Sequence, residues 1–220
     1  IIMAAQMQEL SDAENQIFNA EWDSFVATHF PERDFVDVFE DNKNQILEAC
    51  KIAKYSLEAE FGGVNAATNE FGWSPIQPNQ LLATSAPTYA TSTWKKNYTT
   101  SQVTTSVGWD DWIGASGSEF QMSKYGCMIC IGFVDPVEIP KISAIKAKIK
   151  STDYPIWYFD QAIRSGLHIY ELPKPFVLEP NMTMYLRRKV ARAGDDKFHP
   201  LGVMFGKGDW LRSEAAYAQV

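Results

Sequence analysis

The sequence has few of the side chains from which metal sites, disulfides and nucleophilic catalytic sites are built. Its 220 residues include only six cysteines and histidines: Cys50, Cys127, Cys130, His29, His168 and His199. Three cysteines cannot supply the disulfide framework of a small secreted fold, and no two histidines have the helical spacing of metal ligands. No serine lies in the G-x-S-x-G pattern of a hydrolase nucleophile elbow. These absences predict a protein with no catalytic residues, no metal and no cofactor.

Long apolar runs are also missing. No stretch approaches the roughly 18 to 20 apolar residues that a membrane helix needs, and residues 1–10 lack the basic start and apolar centre of a secretory signal. The composition, with 45% hydrophobic and 21% charged residues, is that of an ordinary globular protein. We therefore expect a folded protein that has no membrane span and is not secreted through a signal peptide.

The one C-x-x-C pair, Cys127 and Cys130, lies inside a continuous apolar run over residues 125–133. Such a run is typical of a buried strand. Residues three apart in a strand point to opposite faces of the sheet, which separates the two thiols. The pair is therefore predicted to be two small core residues and not a zinc or redox motif.

Residues 11–61 have the pattern of two amphipathic helices. Ser11 and Glu14 match a capping box at the start of the first, and Pro31 is a natural first-turn residue for the second. Glycines at 62–63 end the second helix. Apolar residues recur at helical spacing along both: Phe18, Trp22, Phe25, Val26, Phe35, Val38, Phe39, Ile46, Ala49, Cys50, Ala53 and Leu57. Residues 1–63 are predicted to form an acidic helical N-terminal arm.

From residue 64 onward the pattern predicts loops and strands. Prolines forbid a long helix in the Pro- and Thr-rich segment 64–108, and 108–114 has the composition of a turn. Strands are predicted at 125–134, 166–172, 182–190 and 201–206, with prolines at strand margins and the last two joined as a hairpin through 193–196.

The clearest strand signal is the alternation of Ile145, Ala147 and Ile149 with three lysines. A period of two places the apolar groups on one face and the ammonium groups on the other. Several short strands separated by turns indicate a β-sandwich or a barrel. The predicted fold class is mainly β, with residues 64–220 forming a jelly-roll-like antiparallel β-sandwich behind the helical arm.

Charge is distributed unevenly along the chain, whose net charge is −7. Residues 1–60 contain 13 acidic and 4 basic side chains, whereas residues 141–212 contain 7 acidic and 13 basic ones. Each block alone is typical of a solvated surface. Together they predict complementary surfaces that steer one subunit's arm onto another subunit's sheet. The basic block also has the composition of a phosphate-binding surface.

Three further groups are candidate ligand sites. The aspartate pairs at 110–111 and 195–196 are candidates for a cation, although neither has EF-hand spacing. His168 is either a strand residue or a lone metal ligand. Four tryptophans with nearby tyrosines are either a stacking platform for a sugar or anchors that hold loops onto a sheet: Trp73, Trp94, Trp109 and Trp112.

Four short segments of the last third carry a family resemblance. They are FVLEP at 176–180, MYLR at 184–187, GDD at 194–196 and PLGVMF at 200–205. These segments, within about 45 residues, resemble the closing strands of single jelly-roll capsid proteins of viruses and phages. The resemblance implies a shell subunit whose acidic arm lies along the inner shell or reaches a neighbour.

We therefore expect a structural, self-assembling protein that serves as a virion capsid or vertex subunit, located in the virion or a cytoplasmic assembly. Expected partners are other copies of the chain, other virion proteins and, through non-specific contact, packaged nucleic acid. The candidate assembly interface is Phe18, Trp22, Phe25, Phe35, Phe39, Arg187, Arg188 and Lys189. Two alternatives are a carbohydrate-binding β-sandwich module that uses the Trp-rich loops and a jelly-roll enzyme with a metal at His168.

Overall fold

Three helices precede ten strands in the computed structural model, which describes residues 12–61, 71–76, 107–114, 117, 119–135, 140–159, 168–192, 198–208 and 211. The helices are α1 (Asp12–His29), α2 (Arg33–Asp41) and α3 (Lys43–Phe61). The strands are β1 (Phe71–Pro75), β2 (Gly108–Ile113), β3 (Phe120–Gln121), β4 (Gly126–Val134), β5 (Ile142–Ile149), β6 (Thr152–Asp153), β7 (Trp157–Tyr158), β8 (Ile169–Leu178), β9 (Thr183–Val190) and β10 (His199–Lys207).

The strands form two antiparallel sheets. One sheet has the order β1-β10-β4-β8; the other has the order β2-β9-β5-β6, with β3 also beside β9 and β7 also beside β5. We call the first the helix-covered sheet and the second the outer sheet. Successive long strands mostly alternate between the sheets, and each sheet pairs strands that are distant in sequence. This two-sheet arrangement is the jelly-roll topology, so the predicted fold class is confirmed.

A core rich in aromatic rings fills the space between the two sheets. Phe133 of β4 lies at its centre, with ring centroids 5.5 Å from Phe198, 5.8 Å from Phe159 and 6.0 Å from Trp157. The predicted alternation in β5 is confirmed, because Ile145, Ala147 and Ile149 are buried in this core. These ring pairs are stacked or tilted, and such pairs add to the stabilisation from apolar burial.

The helices, which we call the helix layer, cover the other face of the helix-covered sheet. Trp22 and Phe39 are fully buried in this second core, where they meet Cys127 and Ile129 of β4. Because β4 is covered on both faces, all nine of its residues are buried. Cys130 lies in the core between the sheets, so the prediction that the two thiols of the C-x-x-C point to opposite faces is confirmed.

The structure has three helices where the sequence predicts two, because the second breaks at Asn42. This residue is buried, and its side-chain amide donates to the Val38 carbonyl at 2.9 Å and to Glu171 Oε1 of β8 at 2.8 Å. Its own carbonyl accepts the first hydrogen bond of α3 from Ile46. Asn42 therefore ends one helix, begins the next and attaches both to an edge strand. Ser11 of the predicted capping box lies outside the described residues.

Two strand predictions are wrong. Residues 108–113 form β2 and not a turn, because they pair with β9. Strands β9 and β10 are not a hairpin: β9 pairs with β2, β3 and β5, whereas β10 pairs with β1 and β4 in the other sheet. The connecting residues 193–197 lie outside the described part of the chain.

Prolines are also placed differently from the prediction. Pro173 and Pro175 lie inside β8 and not at its margins. Strand β8 is an edge strand of the described sheet, and its pairing with β4 shifts register between Cys130 and Gly132, so the missing amides interrupt few ladder bonds. A second shift, at Gly202 of β10, is a close approach of strands, because a Cβ atom there would stand 2.0 Å from the Ile129 carbonyl oxygen.

Candidate interaction surface

The face of the outer sheet that points away from the core carries two rows of side chains. Strand register places Trp109, Lys189, Ala144 and Tyr158 side by side across four strands. We call this the outward face. It exists because period-two alternation sends one half of each strand's side chains into the core and the other half out. The helices make their main contacts with β4, β8 and β10 of the helix-covered sheet, and Ala144 is the one residue of this row with no exposed surface.

The second row of the outward face consists of Asp111, Arg187 and Lys146. Arg187 Nε lies 3.1 Å from Asp111 Oδ1, and the Tyr185 hydroxyl donates to the same carboxylate oxygen. Both members of the ion pair are more than a third exposed, so it contributes little to stability. Lys146 beside them is exposed.

One end of the outward face holds a second carboxylate and ammonium pair. Lys148 Nζ lies 3.4 Å from Glu119 Oε1. A side-chain hydrogen bond with Thr183 lowers the pKa of Glu119, and the contact with Lys148 lowers it further. Glu119 therefore remains ionised in mildly acidic solution.

Exposed apolar side chains accompany these charges. Tyr158 is 53% exposed and Ile156, which precedes it, is 38% exposed. Val107, at the start of β2, is 70% exposed. Three of the five large apolar residues that the described chain exposes therefore lie on or beside the outward face. Apolar groups among polar ones are typical of a surface that contacts another molecule.

The aspartate pair 110–111 is divided between the two faces of the outer sheet. Asp111 points outward, whereas Asp110 Oδ2 lies 3.1 Å from Arg188 Nη2, whose side chain is only 1% exposed. Each aspartate therefore pairs with an arginine of the neighbouring strand β9. The described residues contain no group of three potential metal ligands. The pair 195–196 lies outside the described residues.

The structure separates the predicted interface residues. Phe18, Trp22, Phe25 and Phe39 are buried within the chain against the helix-covered sheet, and Phe35 packs at the edge of the same core. The basic residues divide by alternation: Arg188 points into the sandwich, whereas Arg187 and Lys189 lie on the outward face. The aromatic rings therefore stabilise the fold of the chain itself.

The tryptophans do not form one platform. Trp73 packs against Phe18 and Phe25 of α1, and Trp112 is buried between the sheets. Only Trp109 of the described tryptophans lies on the outward face, and Trp94 is outside the described residues. His168 is exposed, and its Nδ1 lies 3.0 Å from the Asp135 carbonyl oxygen.

The three cysteine thiols are unreactive in the folded chain. Burial, and to a lesser extent the nearby charge of Glu21, raises the pKa of Cys50 to about 12. Burial also raises the pKa of Cys130 to about 12 and that of Cys127 still more. Because the thiolate is the nucleophile and the metal ligand, these cysteines serve as apolar core residues.

The helix layer has the opposite charge from the outward face. Its exposed acidic residues are Glu21, Asp23, Glu32, Asp34, Asp37, Glu40 and Asp41. Arg33 lies 3.9 Å from Asp37, but both side chains are largely exposed. On α2, Asp34, Asp37 and Asp41 follow one another at spacings of three and four residues and so lie on one side of the helix. We call these three residues the acidic ridge.

The fold and this surface define a jelly-roll protein in which the described elements cover both faces of one sheet and one face of the other. Comparison with family models, curated proteins and solved structures finds no match to the chain. Of the helices that the structure describes, none is both long enough and apolar enough to cross a membrane.

Proposed function

We propose that this chain is a structural, self-assembling subunit, of the kind that builds a virion capsid or its vertices through repeated contacts between copies. The observation that carries the proposal is the outward face, where exposed apolar side chains lie among lysines and arginines. Exposed apolar side chains that lie together and are surrounded by polar ones are a feature of protein interaction sites. Jelly-roll sandwiches occur in viral capsids, and also in lectins and cupins, so the fold alone does not select among them.

Several edges of the described sheets favour contacts through faces over contacts through strand addition. Edge strand β8 contains Pro173 and Pro175 with an exposed Lys174 between them. Strands β3, β6 and β7 have two residues each. Proline, lysine and short length are the usual means by which proteins prevent pairing at a sheet edge. A repeated contact is therefore expected to use the outward face.

The position of the predicted interface aromatics supports the same conclusion. Trp22 and Phe39 have no exposed surface, so they cannot contribute area to a contact in this conformation. Tyr158 and Ile156 can, because their side chains are accessible. Aromatic and apolar side chains at the centre of a patch, with charges around them, supply most of the binding energy in known interfaces.

The test is the mass of the purified protein in solution. Light scattering over a wide range of concentration, with negative-stain microscopy of the same sample, should show large oligomers of uniform size. Replacing Ile156 and Tyr158 with serine should reduce assembly, whereas Lys174→Ser on the edge strand should not. A wild-type protein that stays monomeric at every concentration would refute self-assembly.

A further inference from the structure

We infer that the outward face of one copy binds the acidic ridge of the next copy, so that the contact joins two different surfaces. This inference rests on the proposed function and adds the identity of the two partners. Its basis is the position of opposite charges on opposite sides of a single layered molecule. The helix layer lies on one side of the sandwich and the outward face lies on the other.

The acidic ridge points away from its own subunit. Phe39, which is fully buried, lies on the opposite side of α2 from Asp34, Asp37 and Asp41, because a rotation of about 100° per residue places it about 140° to 160° around the helix from each of them. All three aspartates are exposed. The ridge is therefore available to a neighbour without any change in the packing of the helix.

The spacing of charges agrees between the two surfaces. Lys146 and Lys148 are two residues apart on one face of β5, a distance of about 7 Å along the strand. Asp37 and Asp41 are four residues apart on α2, a rise of about 6 Å. A helix laid along the strand can therefore bring one carboxylate to Lys146 and the next toward Lys148, which also contacts Glu119 of its own chain.

Apolar residues occur on both surfaces as well. The outward face exposes Tyr158 and Ile156, and the helix layer exposes Ile17 of α1 and Tyr55 of α3. These four, with Val107, are all the large apolar residues that the described chain exposes. The second copy is a better occupant than a nucleic acid, because the chain itself supplies the complementary acidic surface and its net charge of −7 repels polyanions.

A contact between two different surfaces has a consequence for symmetry. It is heterologous, so repeating it produces a ring when the rotation closes and a filament when it does not. Every copy inside such an assembly uses both of its charged sides. An isologous dimer that pairs the outward face with itself would instead place Lys146 and Lys189 against like charges.

The decisive experiment is a charge swap. Lys146→Glu with Lys189→Glu should weaken association by about tenfold or more, because it places like charges opposite each other. Asp34→Lys with Asp41→Lys should do the same. Mixing or combining the two sets should restore association, since the signs are then exchanged. The control is Lys124→Glu with Lys174→Glu, which changes the net charge equally at exposed sites outside the outward face.

Each outcome distinguishes the inference from the proposed function. Restoration by the swap, with an unchanged control, supports the contact. Wild-type assembly that survives both reversals refutes the contact but leaves self-assembly standing, whereas a monomeric wild type refutes both. Binding of single-stranded oligonucleotides to the outward face without self-association also refutes the contact. Circular dichroism of each variant confirms folding, and a carbodiimide cross-link between Lys146 of one copy and Asp37 of an isotopically labelled copy provides an independent readout.

Discussion

The described elements cover both faces of the helix-covered sheet but only one face of the outer sheet. The amino-acid sequences of the strands reflect this difference. Strand β4 of the helix-covered sheet reads GCMICIGFV and is buried at every position. Strand β5 of the outer sheet reads ISAIKAKI and sends Lys146 and Lys148 outward. A sheet covered on both faces needs apolar residues on both, whereas a sheet covered on one alternates. The comparison identifies the face of the outer sheet that carries the exposed lysines.

The largest expected effect comes from exchanging residue types between the sheets. Ile129→Lys places an ammonium group among the buried residues of the helix layer, and such an unpaired buried charge should cost more than about 4 kcal/mol and prevent folding. Lys146→Ile on the outward face should change the free energy of unfolding by less than about 0.5 kcal/mol. Urea denaturation measures both. Equal tolerance at the two positions would contradict the assignment of covered and open faces.

Two phenylalanines compare the core between the sheets with the core under the helices. Phe133→Ala and Phe39→Ala should each lower the free energy of unfolding by about 3 to 5 kcal/mol, since both rings are fully buried. The two substitutions should nevertheless destabilise different parts of the structure. The helix layer is attached mainly through side chains, so Phe39→Ala should speed amide hydrogen exchange in the helices before the strands. Phe133→Ala should speed exchange in both sheets, and identical exchange patterns would show one indivisible core.

The divided aspartate pair provides a comparison within one strand. Asp110→Asn weakens the partner of Arg188, which is buried, and should cost about 2 kcal/mol. Asp111→Asn loosens an ion pair whose two side chains are both more than a third exposed and should cost less than about 1 kcal/mol. The two asparagines have the same size and change the net charge equally. A larger loss at Asp111 in thermal or urea denaturation would reverse the assigned faces.

The smallest effect is the order in which the thiols react. At about pH 8 the native thiols are protonated, so alkylation requires local opening. Cys50 in the helix layer should react first and Cys130 between the sheets last, as followed by mass spectrometry. The raised pKa values also mean that native cysteines keep protons that unfolded ones lose above about pH 9. Stability should therefore fall as the pH rises from about 9 toward 12. Simultaneous labelling of Cys50 and Cys130 would indicate that the helix layer never opens alone.

Much of the fold could be predicted from local pattern. Helical spacing of apolar residues locates the helix layer, and period-two alternation assigns both faces of β5. The break at Asn42 could not be predicted, because it depends on Glu171, which lies 129 positions away. The pairing of β2 with β9 could not be predicted either, since residues 108–113 have turn-like composition and become a strand through contact with β9.

The candidate surface was only partly visible in the sequence. The Arg187, Arg188 and Lys189 run identifies a basic strand, but strand alternation takes Arg188 inside. Composition alone does not reveal whether an aromatic ring packs within the chain or lies outside, so the buried Trp22 and the exposed Tyr158 look equally suitable. That distinction depends on which face the helices cover.

The Asn42 side chain has a consequence for synthesis. Translation runs from the N-terminus, so α2 and α3 leave the ribosome long before Glu171, the hydrogen-bond partner of Asn42, has been synthesised. Strand β1 likewise cannot pair until β10 has been synthesised. Meanwhile the apolar stripe of the helices has no sheet to cover. The nascent chain is therefore expected to need a chaperone, or a slow post-translational closure, before its last strand completes the fold.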